Sequence, residues 1–155
     1  MTGECERMVW LDAGPLGLVS NPRGGPEASA CRDWARRLLG AGVRIFVSEV
    51  ADFEVRRELT RKGADAGLRR LDAVREALEF APVTSAAMLR ASELWAESRR
   101  RGRPTASPLA LDCDVILAAQ ALTAAAGGQS VTVASRNGRH LGQFLDARPW
   151  AEIGV

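Results

Sequence analysis

Short apolar runs alternate along the chain with segments whose apolar residues recur every three or four positions. The apolar runs 8–11, 43–47 and 130–134 predict buried strands, and a last extended piece is predicted near 150–153. The other segments have helical spacing. We predict helices from a start near Pro15 and over 27–39, 49–62, 68–78, a stretch opening at 84–85, 112–126 and a short stretch from about Asn137. Strands separated by helices predict an α/β fold, three-layer α/β/α with a central parallel sheet.

The chain has 155 residues, with no internal repeat and no dividing linker, so we predict a single domain over 1–155. No run approaches the roughly 18 apolar residues of a membrane span, and the first residues are unlike a signal peptide. We therefore expect a cytoplasmic protein with no membrane partner. Its three widely spaced cysteines predict buried thiols rather than a zinc or disulfide set.

The net charge of +2 excludes a uniformly basic nucleic-acid coat, so any phosphate partner must meet a local basic patch. The run 99–103 is the most basic stretch, and it is either a solvated helix end or a phosphate contact. Arg136 and Arg139 follow the third predicted strand and are better placed to bind substrate phosphate. The single histidine, His140, is expected to be a surface or packing residue.

Three acidic residues lie where predicted strands or helices meet one edge of the sheet. Asp12 directly follows the first strand, Glu54 lies in the second turn of helix 49–62, and Asp114 lies in the first turn of helix 112–126. Ligands of open parallel sheets bind at the carboxyl edge of the strands. Converging carboxylates would repel each other without a cation, and Mg²⁺ or Mn²⁺ is the natural guest. Such a site supports metal-assisted phosphodiester hydrolysis.

Each acid also has an ordinary structural interpretation, which spacing alone leaves open. Asp12 could cap the following helix, and Asp112 and Asp114 could complement the dipole of theirs. Glu54 could pair with Arg57 as an ordinary surface charge.

Helical phase separates Glu54 from the other charged residues of its helix. Glu54 shares a face with Val50, whereas Glu49, Asp52 and Arg56 are predicted to project together into solvent. The four tryptophans are predicted to lie in the core. No dinucleotide-binding loop, P-loop or nucleophile elbow is present.

Four motifs occur in order along the chain, and together they resemble the PIN-domain family, to which the VapC-type ribonuclease toxins belong. The first is a hydrophobic strand ending in Asp, and the second is a strand with Ser followed by a helix bearing an inward Glu. The third is Asp-x-x-Ile-Ala-Ala-x-Ala, and the fourth is a strand leading to Thr-x-Asp or Thr-x-Asn. Their counterparts here are residues 9–12, 47–55, 114–121 and 133–141.

The resemblance implies a Mg²⁺- or Mn²⁺-dependent nuclease site in a PIN-like fold. By position, Asp12, Glu54 and Asp114 would be the catalytic metal ligands, Asn137 would take the fourth acid position, and Ser135 would hold a ligand or a water. Two departures weaken binding of a second metal: Ala13 stands where Thr or Ser is common, and Asn137 is neutral where many members have Asp. Asp112 is an extra acid that either supports the site or only caps the helix.

The resemblance further implies an endoribonuclease that hydrolyses RNA, with a small antitoxin protein as a possible partner and a homodimeric state. In such proteins helices 27–39 and 49–62 form the dimer and antitoxin surfaces. The alternative function is a catalytically weak PIN-like RNA-binding or adaptor module with vestigial acids.

Overall fold

The computed structural model describes residues 5–103, 107, 112–136 and 138–155. Five parallel strands form one sheet in the order β3-β2-β1-β4-β5. The strands are β1 (Arg7–Leu11), β2 (Arg44–Ser48), β3 (Glu79–Ala81), β4 (Ser130–Ala134) and β5 (Asp146–Arg148).

Helices connect the strands and cover both faces of the sheet. They are α1 (Ala13–Ser20), α2 (Gly25–Gly40), α3 (Glu49–Arg61), α4 (Asp65–Ala77), α5 (Ser85–Arg100), α6 (Cys113–Ala124) and the short α7 (Gly138–Leu141). None of the helices in the described part of the chain is long and apolar enough to cross a membrane.

The core lies in two layers, one on each side of the sheet. Alternate residues of a strand point to opposite faces, so Val9 and Leu11 pack against α1, α2 and α4. Met8 and Trp10 face the other way and pack with α5, α6 and α7. A strand buried on both faces has a continuous apolar run, which is why β1 and β2 can be predicted from the sequence. The three-layer α/β/α prediction is confirmed.

The C-terminal strand was placed wrongly by the sequence pattern. The predicted extended piece near 150–153 is a 3₁₀ helix, Trp150–Glu152, and the strand is Asp146–Arg148. The apolar residues of this segment pack against the core instead of forming a strand. Ile153 is buried, its carbonyl accepts a hydrogen bond from Trp34 Nε1 at 2.8 Å, and Trp150 packs against Trp34. The edge strand β3 was not predicted.

The predicted solvent-facing position of Asp52 is also wrong. Its side chain is only 7% exposed and accepts two hydrogen bonds from Arg56, which reaches on to Asp72 of α4 at 2.8 Å. The helix face predicted to be solvated is covered by the neighbouring helix. Glu49, in contrast, is exposed.

Two further burial predictions fail in part. Trp95 is 36% exposed on α5, where Arg99 stacks over its ring, while Trp10 and Trp34 are buried. Of the cysteines, only Cys31 is fully buried, Cys113 is half-buried and Cys5 is exposed.

Candidate functional site

The order of the strands creates a crevice above the middle of the sheet. The chain runs outward from β1 through β2 to β3, and then returns to the other side of β1 with β4. The strand order therefore reverses between β1 and β4, the place where open α/β sheets bind ligands. Asp12 follows β1 and Ser135 follows β4, so these two residues meet at the reversal.

Asp12 is held rigidly at this position. One carboxylate oxygen accepts the backbone N–H of Ala13 at 2.8 Å, and the other accepts the hydroxyl of Ser135 at 2.6 Å. Its own N–H donates to the carbonyl of Ala134 at 3.0 Å. The capping interpretation of Asp12 is thus confirmed. Each carboxylate oxygen retains lone-pair capacity, so capping α1 and binding a ligand are compatible.

Asp114 lies within electrostatic range of the other predicted acids. Its side chain is 18% exposed, and burial raises its pKa to about 6, assisted by the negative charges of Asp12, Asp112 and Glu54. His140 opposes this rise in pKa, with Nδ1 3.6 Å from Asp114 Oδ2. Asp12, Glu54 and Asp114, from three separate elements, therefore form one electrostatic group, which we call the acid cluster.

Glu54 enters the acid cluster from α3, where it is half-buried. Cys113, the first residue of α6, lies close enough to the Glu54 carboxylate for the two side chains to interact electrostatically. Burial raises the pKa of Cys113 to about 12, and the neighbouring carboxylate of Glu54 contributes to this rise. The sequence analysis did not predict that Cys113 lies near the acid cluster, although its position between Asp112 and Asp114 indicates this.

Asp112 caps α6 through a hydrogen bond from the backbone N–H of Val115 at 3.2 Å. Burial raises the pKa of this carboxyl, while the Val115 N–H, Arg99 and His140 act in the opposite direction. The capping interpretation of Asp112 is confirmed, and its charge adds to the field at Asp114.

The donor chemistry of this group fits Mg²⁺ or Mn²⁺, because both ions prefer carboxylate and hydroxyl oxygens and would relieve the repulsion that raises the pKa of Asp114. The side chains are not arranged as a complete coordination set. Among the described residues, no group of three or more His, Cys, Asp or Glu side chains could hold a metal ion as it stands. Asn137, the fourth predicted ligand, lies outside the described residues.

The two arginines predicted to bind phosphate are placed differently. Arg136 Nη2 lies 3.3 Å from a carboxylate oxygen of Glu27, near the start of α2, and its side chain covers Gly14. A Cβ at Gly14 would come within 3.1 Å of Arg136 Cδ, so the glycine makes room for this arginine. Arg139 is exposed on α7 and has no carboxylate partner among the described residues.

His140 is closer to the acids than the sequence interpretation assumed. The expectation that it is a surface residue is confirmed, since its side chain is 46% exposed, and its Nδ1 also lies 3.6 Å from Asp114 Oδ2. Its position in the sequence could have indicated this proximity to the acids. His140 lies on α7, which follows the carboxyl end of β4, and Ser135 lies at that same end.

Most of the sequence of this chain is matched by the model of a known family. The family model for the PIN domain matches residues 18–136, more than half of the chain. The chain belongs to the PIN-domain family. The matched stretch includes Glu54, Asp114 and Ser135.

Solved structures of VapBC and VapC proteins share the fold. The chain is similar to VapBC2 from Rickettsia felis bound to a DNA fragment from their promoter, with 16% identity, a TM-score of 0.68, and coverage of 92% of this chain and 98% of that one. It is also similar to VapBC-1 from nontypeable Haemophilus influenzae, with 14% identity, a TM-score of 0.67, and coverage of 94% of this chain and 99% of that one. A third similar structure is Mycobacterium tuberculosis VapC20, a sarcin-ricin loop cleaving toxin, with 17% identity, a TM-score of 0.59, and coverage of 91% of this chain and 99% of that one. No curated protein matches the sequence.

Proposed function

We propose that this protein is a divalent-metal-dependent endoribonuclease that hydrolyses RNA phosphodiester bonds, and that it is the toxin of a toxin–antitoxin pair. The observation that carries the proposal is the acid cluster at the strand reversal, where burial and the neighbouring carboxylates raise the pKa of Asp114 to about 6. Membership of the PIN-domain family and the likeness to VapC folds support the same reaction class.

Asp12, Glu54 and Asp114 would hold Mg²⁺ or Mn²⁺, and Asn137 would complete the set. When bound, such an ion acts as a Lewis acid that favours ionised water and balances charge on the phosphate. The residues of the chain hold the metal-binding carboxylates in place. Ser135 and the Ala13 N–H fix both oxygens of Asp12, so this carboxylate needs little reorganisation to bind. Asp112 fixes the start of α6 and thereby the position of Asp114.

Arg139 and Arg136 would contact substrate phosphate in different ways. Arg139 has no carboxylate partner in the described part of the chain, so its guanidinium can bind phosphate without giving up an ion pair. Arg136 would have to leave its ion pair with Glu27 to bind a phosphate. The free-energy cost of breaking this pair is small, because both side chains are exposed to water.

The reaction is tested by incubating single-stranded RNA with the wild type and with Asp12→Ala in Mg²⁺ or Mn²⁺. We expect cleavage by the wild type that EDTA abolishes. Asp12→Ala should lower the rate at least about 100-fold, equivalent to about 3 kcal/mol of transition-state stabilisation. Asp33→Ala, which removes an exposed acid of α2 paired with Arg36, is the control and should cleave normally.

Cleavage that survives both EDTA and Asp12→Ala would overturn the metal-dependent mechanism. RNA binding without cleavage in either metal would instead support the alternative, a catalytically weak RNA-binding or adaptor module.

The proposed antitoxin has a suitable surface between α2 and α4. A groove of about 250 Å³ there has apolar walls and carries Arg32, Arg36 and Arg70. Leu39, on its wall, is 46% exposed and forms part of the apolar surface of the groove. This combination of apolar surface and arginines fits an acidic amphipathic helix.

The antitoxin proposal is tested by co-expressing the chain with a small acidic protein encoded beside it. We expect a stable complex, and we expect Ala73→Glu with Arg70→Glu to weaken it at least tenfold, because these changes remove both charge complementarity and apolar packing. Arg90→Glu on α5 is the control and should leave the affinity unchanged. Equal weakening by both variants would show that the groove is not the binding surface.

The homodimer is a further proposal, with α2 and α3 as candidate surfaces. Phe53 of α3 is 48% exposed beneath the guanidinium of Arg57, and such a ring is favoured at a subunit contact. Light scattering of Phe53→Ser against the wild type tests it. A wild-type monomer would contradict the dimer.

A further inference from the structure

A cavity of about 430 Å³ opens beside the acid cluster. It is lined by Arg103, Arg139, His140 and Gln143. His140 belongs to both places, because it lines the cavity and its Nδ1 is 3.6 Å from Asp114 Oδ2. Anything bound in the cavity would therefore lie next to the acid cluster, with one imidazole between them.

The walls of this cavity are fixed to each other. Gln143 Nε2 donates to the carbonyl of His140 and to the carbonyl of Arg103, both at 3.1 Å. The N–H of Arg103 donates to the carbonyl of Ser98 in the last turns of α5, at 2.8 Å. The segment after α5 is thereby fastened to α7, and the backbones that carry the two arginines are positioned before a ligand arrives.

The charge of the cavity selects an anion. Neither Arg103 nor Arg139 is within ion-pair distance of a carboxylate of the described residues, whereas many other arginines, such as Arg44 and Arg56, are paired. A guanidinium presents a planar set of donors that matches the oxygens of phosphate. None of the described residues that line the cavity has an aromatic ring on which a nucleobase would stack, apart from the imidazole of His140. Phosphate rather than base is therefore the group that the cavity suits.

We propose that this cavity is a phosphate subsite for single-stranded RNA. It would bind the phosphate of a nucleotide adjoining the one cleaved at the acid cluster. This inference rests on the proposed ribonuclease function and deepens it. Arg103 and Arg139 bind the phosphate oxygens, and Gln143 is a positioning residue that holds the two walls together.

The subsite is tested by the binding of a fluorescein-labelled RNA dodecamer, measured by anisotropy in EDTA at several salt concentrations. The variant is Arg103→Gln with Arg139→Gln. The matched control is Arg37→Gln with Arg69→Gln, which removes the same charge from exposed positions on α2 and α4.

We expect the affinity of the subsite variant to fall about tenfold or more, and that of the control to fall much less. The slope of log affinity against log salt should become shallower by about 0.7 for each phosphate that is no longer neutralised. Equal decreases of affinity and slope in the two double variants would overturn the subsite, because they would reflect net charge alone.

Gln143→Ala separates positioning from direct contact. With the fold verified by circular dichroism, we expect a weaker affinity for RNA and an unchanged salt slope, because both arginines remain. In the cleavage assay KM should rise while kcat is retained. Wild-type affinity and KM in this variant would contradict the positioning role.

Failure of the subsite and failure of the ribonuclease proposal give different results. If the wild type cleaves RNA and the arginine variant keeps the same KM and salt slope, the subsite is wrong and the nuclease stands. If the wild type does not cleave but the arginine variant alone loses affinity for RNA in EDTA, the subsite stands as a binding site and the nuclease proposal fails.

Discussion

The ionisation of Asp114 depends first on its burial and then on the charges around it. Burial and the charges of Asp12, Asp112 and Glu54 all disfavour its charged form, and His140 opposes them. A carboxylate kept in such surroundings destabilises the folded chain when it is ionised. Under the proposed function the same unfavourable field would attract a divalent cation, so the loss of stability and the metal affinity would have one cause.

The stability of the metal-free protein should therefore depend on pH through Asp114. Its pKa is about 6 in the folded chain, above its ordinary value of 3.8, so the folded state binds this proton more tightly. The free energy of unfolding in EDTA should rise as the pH falls from about 7 towards about 4, by about 2 kcal/mol from this group. Denaturant titrations at several pH values measure it.

Asp114→Asn should flatten this pH dependence and make the metal-free protein more stable than the wild type at pH 8. Asp65→Asn, an exposed acid in the first turn of α4, should do neither. An unchanged pH profile in Asp114→Asn would contradict the proposed role of Asp114 in this pH dependence.

The acids of the site could be chosen from the sequence, but their contacts could not. Asp12 follows an apolar strand and Asp114 lies on an apolar stripe, and both signals are local. The approach of His140 to Asp114 and the electrostatic interaction of Cys113 with Glu54 join residues on different elements. Such contacts depend on how helices pack, which helical periodicity does not encode. Asp12 also showed that a cap and a candidate ligand can be one residue.

At the scale of the elements, α3 is the helix that links the core to the site. It begins after Ser48, whose buried hydroxyl accepts the N–H of Ala51 at 3.1 Å, and it carries Glu54 into the acid cluster. Its other charged face is tied to α4 through Arg56, which bridges Asp52 and Asp72. The position of Glu54 therefore depends on a contact between two helices.

Removal of Asp52 should destabilise the fold more than removal of an exposed ion-pair partner. Asp52→Ala leaves Arg56 without its buried partner, and we expect a loss of about 2 kcal/mol in the free energy of unfolding. Asp33→Ala breaks an exposed pair with Arg36 and should cost less than about 0.5 kcal/mol. Urea denaturation measures both, and equal losses would place Asp52 in solvent, as its helical phase had suggested.

The elements that the sequence predicted are those buried on both sides. Strands β1, β2 and β4 form the middle of the sheet; β1 and β2 carry continuous apolar runs, and β4 has apolar residues on both sides of Thr132. The edge strands have only three residues each, and β5 reads Asp-Ala-Arg, so no apolar run marks them. Their pairing is set by the neighbouring strand. The apolar residues of 150–153 suggested a strand because packing against α2 and extended structure require similar side chains.

Across the whole molecule, opposite charges are separated around the strand reversal. The net charge of +2 averages a negative acid cluster and a set of arginines that includes Arg139 and Arg103 beside it. A negative centre suits a cation, and the basic wall beside it suits a phosphate. The two together can accommodate both ligands, whereas either one alone could not. The groove between α2 and α4 carries arginines of its own.

The central claim is that the carboxylates at the strand reversal form one divalent-cation site. Calorimetric titration of Mn²⁺ into the metal-free wild type, Asp114→Asn and Asp65→Asn tests it without reference to any substrate. We predict one saturable site in the wild type, preserved in Asp65→Asn and weakened at least about tenfold in Asp114→Asn, where a charged ligand is removed. Equal Mn²⁺ affinity in all three proteins would contradict the claim.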